Sequence, residues 1–367
     1  LATAVLRPRV SSLGTTNLIS WKPTARKRAP AYLTTSRIIW ASAPFNSPLP
    51  EVGSLNKWIN RGTLWSIFCQ YTVHASICLP YLVTFGTAAQ KQKYIPPAVR
   101  GDLLLGIGMT EPGAGSDLAN IQTKAIRDGD HYVVNGAKTF ISLGQLGGLY
   151  IVAVKTDPSA RPAHRGVSLL LIEADTPGFV RGRKLEKLGF PAQDTSELFF
   201  EDCRVPVENL LGQEGQGFKM MMDKLQQERL SISVTAVASC RRALDDTVAY
   251  VQQRKAFGKP IAHFQNTQFT LAELATQIQI GQTFIDQLLV AHVRGDELVS
   301  EVSMAKWWTT DLQKKVTGEC LQLHGGYGFM LEYPIATDYA DAAVQSIYAG
   351  SNEIMKVIIA KRMGLGG

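Results

Sequence analysis

The sequence lacks the features that mark several protein classes. It contains no run of eighteen apolar residues, so no transmembrane helix is predicted and a soluble protein is expected. Its five cysteines lie far apart, with no Cys-x-x-Cys pair and no histidine–cysteine spacing typical of a zinc site. We therefore expect no bound metal and interpret the cysteines as free thiols of a reducing compartment. They are Cys69, Cys78, Cys203, Cys240 and Cys320.

Acidic residues are absent from the first 50 positions, which carry seven Arg and Lys side chains. This segment alone accounts for the net charge of +7, so the sequence pI near 9.1 does not indicate a nucleic-acid-binding face. Residues 1–66 form a divergent basic segment, whose composition is typical of a mitochondrial targeting peptide or a disordered arm. An aberrant terminus is a further alternative. We expect a bacterial cytoplasmic protein, with the mitochondrial matrix as the alternative.

Hydrophobic periodicity changes twice along the rest of the chain. Residues 67–104 predict two short helices, which are separated by Gly86 and ended by Pro96 and Pro97. We interpret them as the remnant of an N-terminal helical domain. Residues 105–213 contain short apolar runs between turn signals, which predict a middle β domain formed by an antiparallel sheet or barrel.

The last part, residues 214–367, has apolar residues at helical spacing. Its first segment continues for about forty residues until Lys259 and Pro260 interrupt the pattern. Further helices are expected at 267–294, 297–324 and 338–362. Four long helices at the end of a chain predict a bundle. The expected fold class is therefore α+β, with N-terminal helices, a middle β domain and a C-terminal four-helix bundle.

A glycine-rich segment, Met109-Thr-Glu-Pro-Gly-Ala-Gly-Ser-Asp117, follows an apolar run. Glycines let backbone N–H groups approach a phosphate or the edge of an electron-rich ring, and Thr110 and Ser116 add hydroxyl donors. The segment matches neither the dinucleotide-binding fingerprint nor the P-loop. Because a tight hairpin explains two glycines equally well, the segment alone does not identify a function.

Four further motifs occur in a fixed order after this loop. They are Gln253-Arg-Lys-Ala-Phe-Gly-Lys259, His263-Phe-Gln265, Gln322-Leu-His-Gly-Gly-Tyr-Gly328 and Ile347-Tyr-Ala-Gly-Ser-Asn-Glu353. Together with the glycine-rich loop, they resemble the acyl-CoA dehydrogenase family over residues 70–367. The resemblance implies a homotetramer in which FAD lies between the β domain, the helical bundle and a neighbouring subunit.

The resemblance also implies roles for individual residues. Those matching family positions that contact FAD are Ile107, Met109, Thr110, Ser116, Phe140, Ile141, Ser142, Arg254, Phe257, Gln265, Gln322, Gly325, Gly326, Ser351 and Glu353. Ser142 stands where many relatives have a threonine that donates towards flavin N5. Those matching substrate-binding positions are Ser116, Arg229, Tyr348, Ala349 and Gly350.

The chain departs from many family members at Ala349, where they carry the catalytic glutamate. In the long-chain and isovaleryl branches a small residue stands there and the base is a glutamate followed by arginine on the first long helix. The segment Leu225-Gln-Gln-Glu-Arg-Leu230 is similar to that arrangement, which implies that Glu228 is the base. An ordinary glutamate at a helix surface is the alternative interpretation.

The resemblance implies FAD-dependent α,β-dehydrogenation of an acyl-CoA. Glu228 would remove the α-proton, the β-hydride would pass to flavin N5, and electron-transferring flavoprotein would accept the electrons. The C-terminal motifs are closer to the long-chain branch, so medium or long acyl chains are favoured. An acyl-CoA oxidase of the same fold and a catalytically inactive flavin-binding assembly subunit remain alternatives.

Overall fold

The computed structural model describes residues 69–365. The segment expected at residues 1–66 lies outside the described residues. The described chain is helical from Cys69, and a π-helical turn, Val73–Cys78, leads into α1, Leu79–Phe85. The helix α2, Ala88–Arg100, begins with a capping box in which Thr87 and Gln90 bond each other's backbone N–H. Gly86 therefore separates two helices, as the sequence predicts.

The expected helix end at Pro96 and Pro97 is wrong, because both prolines lie inside α2, which continues to Arg100. Proline removes a backbone N–H and frees the carbonyl four residues earlier. Here the freed carbonyls belong to Gln92 and Lys93, which are both exposed residues. The helix then ends at Gly101, which has the left-handed conformation at φ 82°.

The middle of the chain forms one eight-stranded sheet with the order β6-β7-β3-β2-β4-β5-β8, and β1 also pairs with β4. The strands are Leu105–Gly108 (β1), Lys124–Asp128 (β2), His131–Ser142 (β3), Leu149–Lys155 (β4), Val167–Glu173 (β5), Phe179–Lys184 (β6), Thr195–Pro206 (β7) and Leu210–Leu211 (β8). The expectation of antiparallel pairing needs correction at β4, which pairs in parallel with β1, Leu105 with Leu149, and with β2, Lys124 with Lys155. The glycine-rich loop and the β2–β3 hairpin supply the long connection that a parallel pair requires.

The strands β4 and β5 are buried on both faces. Ile151 and Leu169 lie on one face of these strands and pack with Tyr81 and Met221 from the helices. Val152 lies on the opposite face and packs in a second core, which is formed by residues of the sheet. This burial brings α1 and the start of the first C-terminal helix to the same face of the sheet.

The C-terminal part begins with α3, Gly217–Gln253. A short hairpin, Lys255–Ala256 with Lys259–Pro260, connects it to α4, Gln265–Arg294, which is followed by α5, Val299–His324. The first helix therefore ends six residues before Lys259, whereas the sequence pattern places the interruption at that residue.

The single helix expected at 338–362 is wrong. The chain instead forms α6, Pro334–Ala342, then a 3₁₀ turn, Ala343–Ser346, and finally α7, Asn352–Arg362. The segment between them cannot be helical, because Ala349 and Gly350 adopt left-handed conformations at φ 51° and 88°. Periodicity does not detect the break because apolar residues continue on both sides of it.

Within residues 69–365, no helix is long and apolar enough to cross a membrane. In the same part of the chain, no group of three or more His, Cys, Asp or Glu side chains could hold a metal ion.

Candidate active site

A buried carboxyl group lies in the first half of α3, where this helix packs against α1. Glu228 is only 5% exposed, and its Oε1 accepts a hydrogen bond from the Tyr81 hydroxyl at 3.1 Å. Burial raises the pKa of Glu228 to about 7, although the Tyr81 hydrogen bond and the nearby charges of Arg229 and Lys224 favour the ionised form. Glu228 therefore has the properties of a general base that works near neutral pH.

The residue after this carboxyl, Arg229, connects α3 to the turn between α6 and α7. Its Nε donates to the carbonyl oxygen of Ala349 at 3.2 Å, and the side chain is 7% exposed. Burial lowers the pKa of Arg229, and the charge of Glu228 opposes that shift. The Glu-Arg pair of the sequence is therefore not at a helix surface, and the ordinary surface interpretation is wrong.

A second buried cation holds the same turn from α5. Lys306 Nζ donates to Gly350 O at 2.8 Å and to Asn352 Oδ1 at 3.0 Å, and the residue is 0% exposed. Burial and the nearby charge of Arg229 lower the pKa of Lys306 to about 8. The Asn352 side chain also donates to Asp311 Oδ1 at 2.9 Å, which fixes the start of α7 on α5.

The turn needs such support because Ala349 is in a region that non-glycine residues disfavour by about 1–3 kcal/mol. A hydrogen bond to a charged group contributes about 1.5–3 kcal/mol, which is comparable to that cost. Among residues 69–365, no acceptor is found for the Ala349 N–H. The turn therefore presents a backbone donor close in sequence to the Arg229 contact, on a rigid support.

The other predicted residues of this turn have mixed environments. Tyr348 is half-buried, and its hydroxyl donates to Gln345 Oε1 at 2.6 Å. The Ser351 side chain caps α7 by accepting from the Ile354 N–H at 3.4 Å. Glu353 is exposed in the first turn of α7, where a carboxylate stabilises the helix.

The glycine-rich loop is a tight turn in which the backbones of Glu111 and Ala114 bond each other in both directions. A buried ion pair anchors it, because Lys138 Nζ lies 2.8 Å from Glu111 Oε1 and 3.1 Å from Met109 O. The Glu111 carboxylate also accepts from the backbone N–H of Gln122 and Thr123. These contacts hold the loop on β3.

The remaining predicted residues of this loop face in two directions. Ile107 and Met109 are half-buried and pack against the same hydrophobic core as Tyr81. The Thr110 carbonyl accepts from the Thr139 N–H at 2.9 Å, whereas the Ser116 side chain is exposed.

The end of β3 presents an exposed aromatic ring. Phe140 is 67% exposed and has a left-handed backbone at φ 59°, while Ile141 next to it is buried. The Ser142 hydroxyl oxygen accepts a hydrogen bond from Gln193 Nε2 at 2.7 Å. Since that bond occupies the oxygen as an acceptor, the hydroxyl hydrogen remains available to donate.

A second site lies at the far end of the helical part. A groove of about 710 Å³ brings Arg254, Phe257, Gln322, Gly325 and Gly326 together. Phe257 is 94% exposed, and the Arg254 guanidinium lies 5.5 Å from the centre of the Tyr327 ring. Gln265 is exposed at the first position of α4.

The structure does not bring this groove and Glu228 together within one chain. Glu228 lies 25 residues before Gln253, at the end of α3, which corresponds to about 38 Å along a helix with a rise of 1.5 Å per residue. Within one copy, the residues with predicted cofactor roles therefore form two separate groups.

No sequence motif identifies Tyr81, Lys306 or Lys138 as a site residue. The Tyr81 hydrogen bond to Glu228 joins residues 147 positions apart, and no local pattern indicates such a contact. Lys306 and Lys138 carried a weak signal, because a lysine at an apolar position of a helix or strand indicates a buried partner.

The chain matches three family models in order along the sequence. They are the N-terminal domain of acyl-CoA dehydrogenase over residues 59–102, the middle domain over 106–203 and the C-terminal domain over 215–364. The mitochondrial long-chain specific acyl-CoA dehydrogenase of Mus musculus is 48% identical over 293 residues, which cover 80% of this chain and 68% of that protein.

Solved structures agree with these matches. The acyl-CoA dehydrogenase from Geobacillus kaustophilus is 54% identical with a TM-score of 0.81, and the match covers 82% of this chain and 80% of that one. Butyryl-CoA dehydrogenase from Megasphaera elsdenii is 36% identical with a TM-score of 0.78, covering 81% and 78%. The expected fold of N-terminal helices, middle β sheet and C-terminal helical domain is confirmed, while the individual domain boundaries stay predictions. The chain belongs to the acyl-CoA dehydrogenase family, whose members are FAD-dependent flavoproteins.

Proposed function

We propose that this protein catalyses FAD-dependent α,β-dehydrogenation of an acyl-CoA thioester, with Glu228 as the base that removes the α-proton. The observation that carries the proposal is the buried Glu228 carboxyl, whose pKa is raised to about 7 by burial. A group with this pKa is half ionised near neutral pH and is still basic enough to accept a carbon-bound proton once that proton has been acidified.

The residues present fit FAD. A Cβ added at Gly113 or Gly326 would meet no atom of this chain within 4 Å, so packing within the chain does not require glycine at either position. Open backbone of this kind suits the close approach of a phosphate or a ring edge. Phe140 and Phe257 are exposed rings that an aromatic ligand would cover. The loop 107–116 and residues 140–142 would hold one end of the cofactor, and the Arg254 groove of a second copy would hold the other.

When bound, FAD would accept the β-hydride of the substrate. The protein's own groups would act on the thioester carbonyl and on the α-proton. The Ala349 N–H would donate to the thioester carbonyl and stabilise the negative charge that develops there. Glu228 would take the α-proton, Tyr81 would stabilise the ionised base beforehand, and the buried surroundings would exclude water.

Several finer features belong to the same proposal. Medium or long acyl chains are favoured by the long-chain specific relatives, although a short-chain specific relative from Megasphaera elsdenii is 38% identical. Electron-transferring flavoprotein is the proposed electron acceptor. In support, a solved structure whose description names that protein matches this chain with 35% identity and a TM-score of 0.78. The separation of the two groups of cofactor residues supports an assembly in which a second copy completes each site, and we propose a homotetramer. We propose the bacterial cytoplasm as the compartment, with the mitochondrial matrix as the alternative.

One observation favours an oxidase as a second candidate function. The prolyl acyl carrier protein oxidase AnaB is 31% identical with a TM-score of 0.78. An oxidase would release hydrogen peroxide stoichiometrically with product in air, whereas a dehydrogenase would need an added electron acceptor.

The test is anaerobic bleaching of the flavin absorbance by acyl-CoA thioesters of increasing chain length. We expect bleaching in the parent protein, with a best chain length in the medium or long range, and a loss of about 10²–10⁴ in its rate in Glu228→Gln. Bound flavin that no acyl-CoA reduces, in parent and variant alike, would refute the catalytic assignment and favour an inactive assembly subunit.

A further inference from the structure

The turn between α6 and α7 is held by two buried cations from two different helices. Arg229 of α3 donates to Ala349 O, and Lys306 of α5 donates to Gly350 O. We infer that Lys306 is a positioning residue for the thioester, which holds the turn in the conformation that presents the Ala349 N–H to the substrate carbonyl. This inference rests on the proposed function, since that function supplies the thioester.

The chemistry of the Lys306 environment supports a positioning role. Its two acceptors are the Gly350 carbonyl at 2.8 Å and the Asn352 amide oxygen at 3.0 Å, which are both neutral. The ammonium therefore makes no direct bond to a carboxylate, and the charges of Asp311 and Glu353 favour its ionised form only from a distance. A helix such as α5 would pack at lower cost with an apolar residue at this fully buried position. What the lysine adds is a strong donor to the turn.

The backbone of the turn explains why such a donor is needed. Ala349 O and Gly350 O belong to consecutive peptide groups, and each of these is bonded to a different cation. The peptide that carries the Ala349 N–H comes immediately before them. Its orientation depends on the Ala349 φ of 51°, which a free alanine rarely adopts. Without Lys306, the Gly350 carbonyl loses its bond to α5, while the Arg229 bond to the Ala349 carbonyl remains.

Asn352 extends the restraint to the helix that follows. Its side-chain N–H groups donate to Asp311 Oδ1 and to Thr310 Oγ1, while its oxygen accepts from Lys306. Since these partners lie on α5, the start of α7 and the turn before it are both fixed to one rigid element. A positioning residue on a helix is held more precisely than one on a loop.

The experiment compares two ligands of equal length in the FAD-loaded protein. One is a 3-thia-acyl-CoA, a thioester whose β-position is sulfur and has no hydride to lose. The other is the matching S-alkyl-CoA thioether, which lacks the carbonyl. In the parent protein, calorimetric titration should show tighter binding of the thioester. In Lys306→Met, we expect this preference to fall roughly tenfold or more, because the Ala349 N–H no longer points at the thioester carbonyl. The affinity for the thioether should be unchanged.

Lys155 provides a matched control. It is 8% exposed, and its Nζ donates to two backbone carbonyls, Ala119 O at 2.6 Å and Ala163 O at 3.0 Å, in the β domain. Lys155→Met should therefore change the affinities for both ligands together and leave their ratio unchanged. Lys306→Arg, which keeps charge and donors, should restore part of the preference. If Lys306→Met does not fold, Lys306→Gln, which keeps a neutral donor of shorter reach, is titrated in the same way.

A parent preference for the thioester that is unchanged in the Lys306 variants would overturn this inference and leave the proposed function intact. A parent protein that shows no preference, and whose flavin no acyl-CoA bleaches, would overturn the proposed function and the inference with it. A fall in the ratio in the Lys306 variant that is absent in Lys155→Met supports the positioning role.

Discussion

The hydrogen bond from Tyr81 to Glu228 should affect the pH dependence of the reaction. Tyr81→Phe removes the donor and leaves the ring that packs against Phe85 at 6.1 Å between centroids. The bond favours the ionised carboxylate, so its loss should raise the pKa of Glu228 above its value of about 7. A hydrogen bond to a charged group contributes about 1.5–3 kcal/mol, which corresponds to a rise of about 1–2 pKa units.

The expected consequence is a rate loss that depends on pH. At pH 7 the ionised fraction of the base would fall from about a half to between roughly a tenth and a hundredth, so kcat/KM should fall about 5- to 50-fold. At pH 9 to 10 the variant should approach the parent, because the base is then ionised in both. The assay is the anaerobic rate of flavin reduction by one acyl-CoA, measured between about pH 6 and 10.

Tyr94→Phe is the matched control for this prediction. Its hydroxyl donates to Glu173 Oε1 at 2.7 Å, so it removes a tyrosine–carboxylate hydrogen bond away from Glu228. We expect its pH profile to match that of the parent. A Tyr81→Phe profile with an unchanged midpoint, or a rate loss that persists at alkaline pH, would show that Tyr81 does not tune the pKa of Glu228.

Three further predictions concern stability. Because the pKa of Glu228 is raised, the folded protein retains a proton between about pH 4.5 and 7 that the unfolded chain has lost, so its stability falls as pH rises through this window. In urea unfolding, Glu228→Gln should therefore be more stable than the parent by on the order of 3 kcal/mol at pH 8 and nearly equal to it at pH 4.5. Lys138→Met leaves the Glu111 carboxylate buried without its cation and should cost about 3–5 kcal/mol of unfolding free energy, much of which Glu111→Gln in the same chain should restore; an equal loss in both would contradict the ion-pair account. Gly350→Ala forces a Cβ to 2.8 Å from Met355 Cε at a φ of 88°, so it should lower the unfolding free energy by about 1–3 kcal/mol and slow flavin reduction, and a neutral effect on both would show that the turn is not constrained.

Local patterns predicted the elements whose determinants are local. The long helix α3 and the alternating strands follow from periodicity, and the family resemblance led to Glu228 as the candidate base. The helix end predicted at Pro96 and Pro97 is wrong because α2 is stabilised by the burial of Tyr94 and Ala98 against distant parts of the chain, which the local sequence does not indicate. The break before α7 depends on Arg229 and Lys306, which hold Ala349 and Gly350 from 120 and 44 residues away.

In the candidate site, the identities of motif residues can be predicted from the sequence, but their hydrogen-bond partners and pKa values cannot. The identity of a motif residue such as Ser142 can be carried over from a family, but its partner Gln193 follows only from the packing of the loop between β6 and β7. Likewise, the pKa of Glu228 depends on burial between α3 and α1, which no spacing within either helix indicates.

The central claim, that Glu228 removes the α-proton, is tested most directly by α-hydrogen exchange. The FAD-loaded protein is incubated in D₂O with a 3-thia-acyl-CoA, so proton removal is observed without hydride transfer. The account predicts rapid exchange in the parent and a rate lower by about 10²–10⁴ in Glu228→Gln, with ligand affinity preserved. Exchange at the parental rate in Glu228→Gln would contradict it and show that another group is the base.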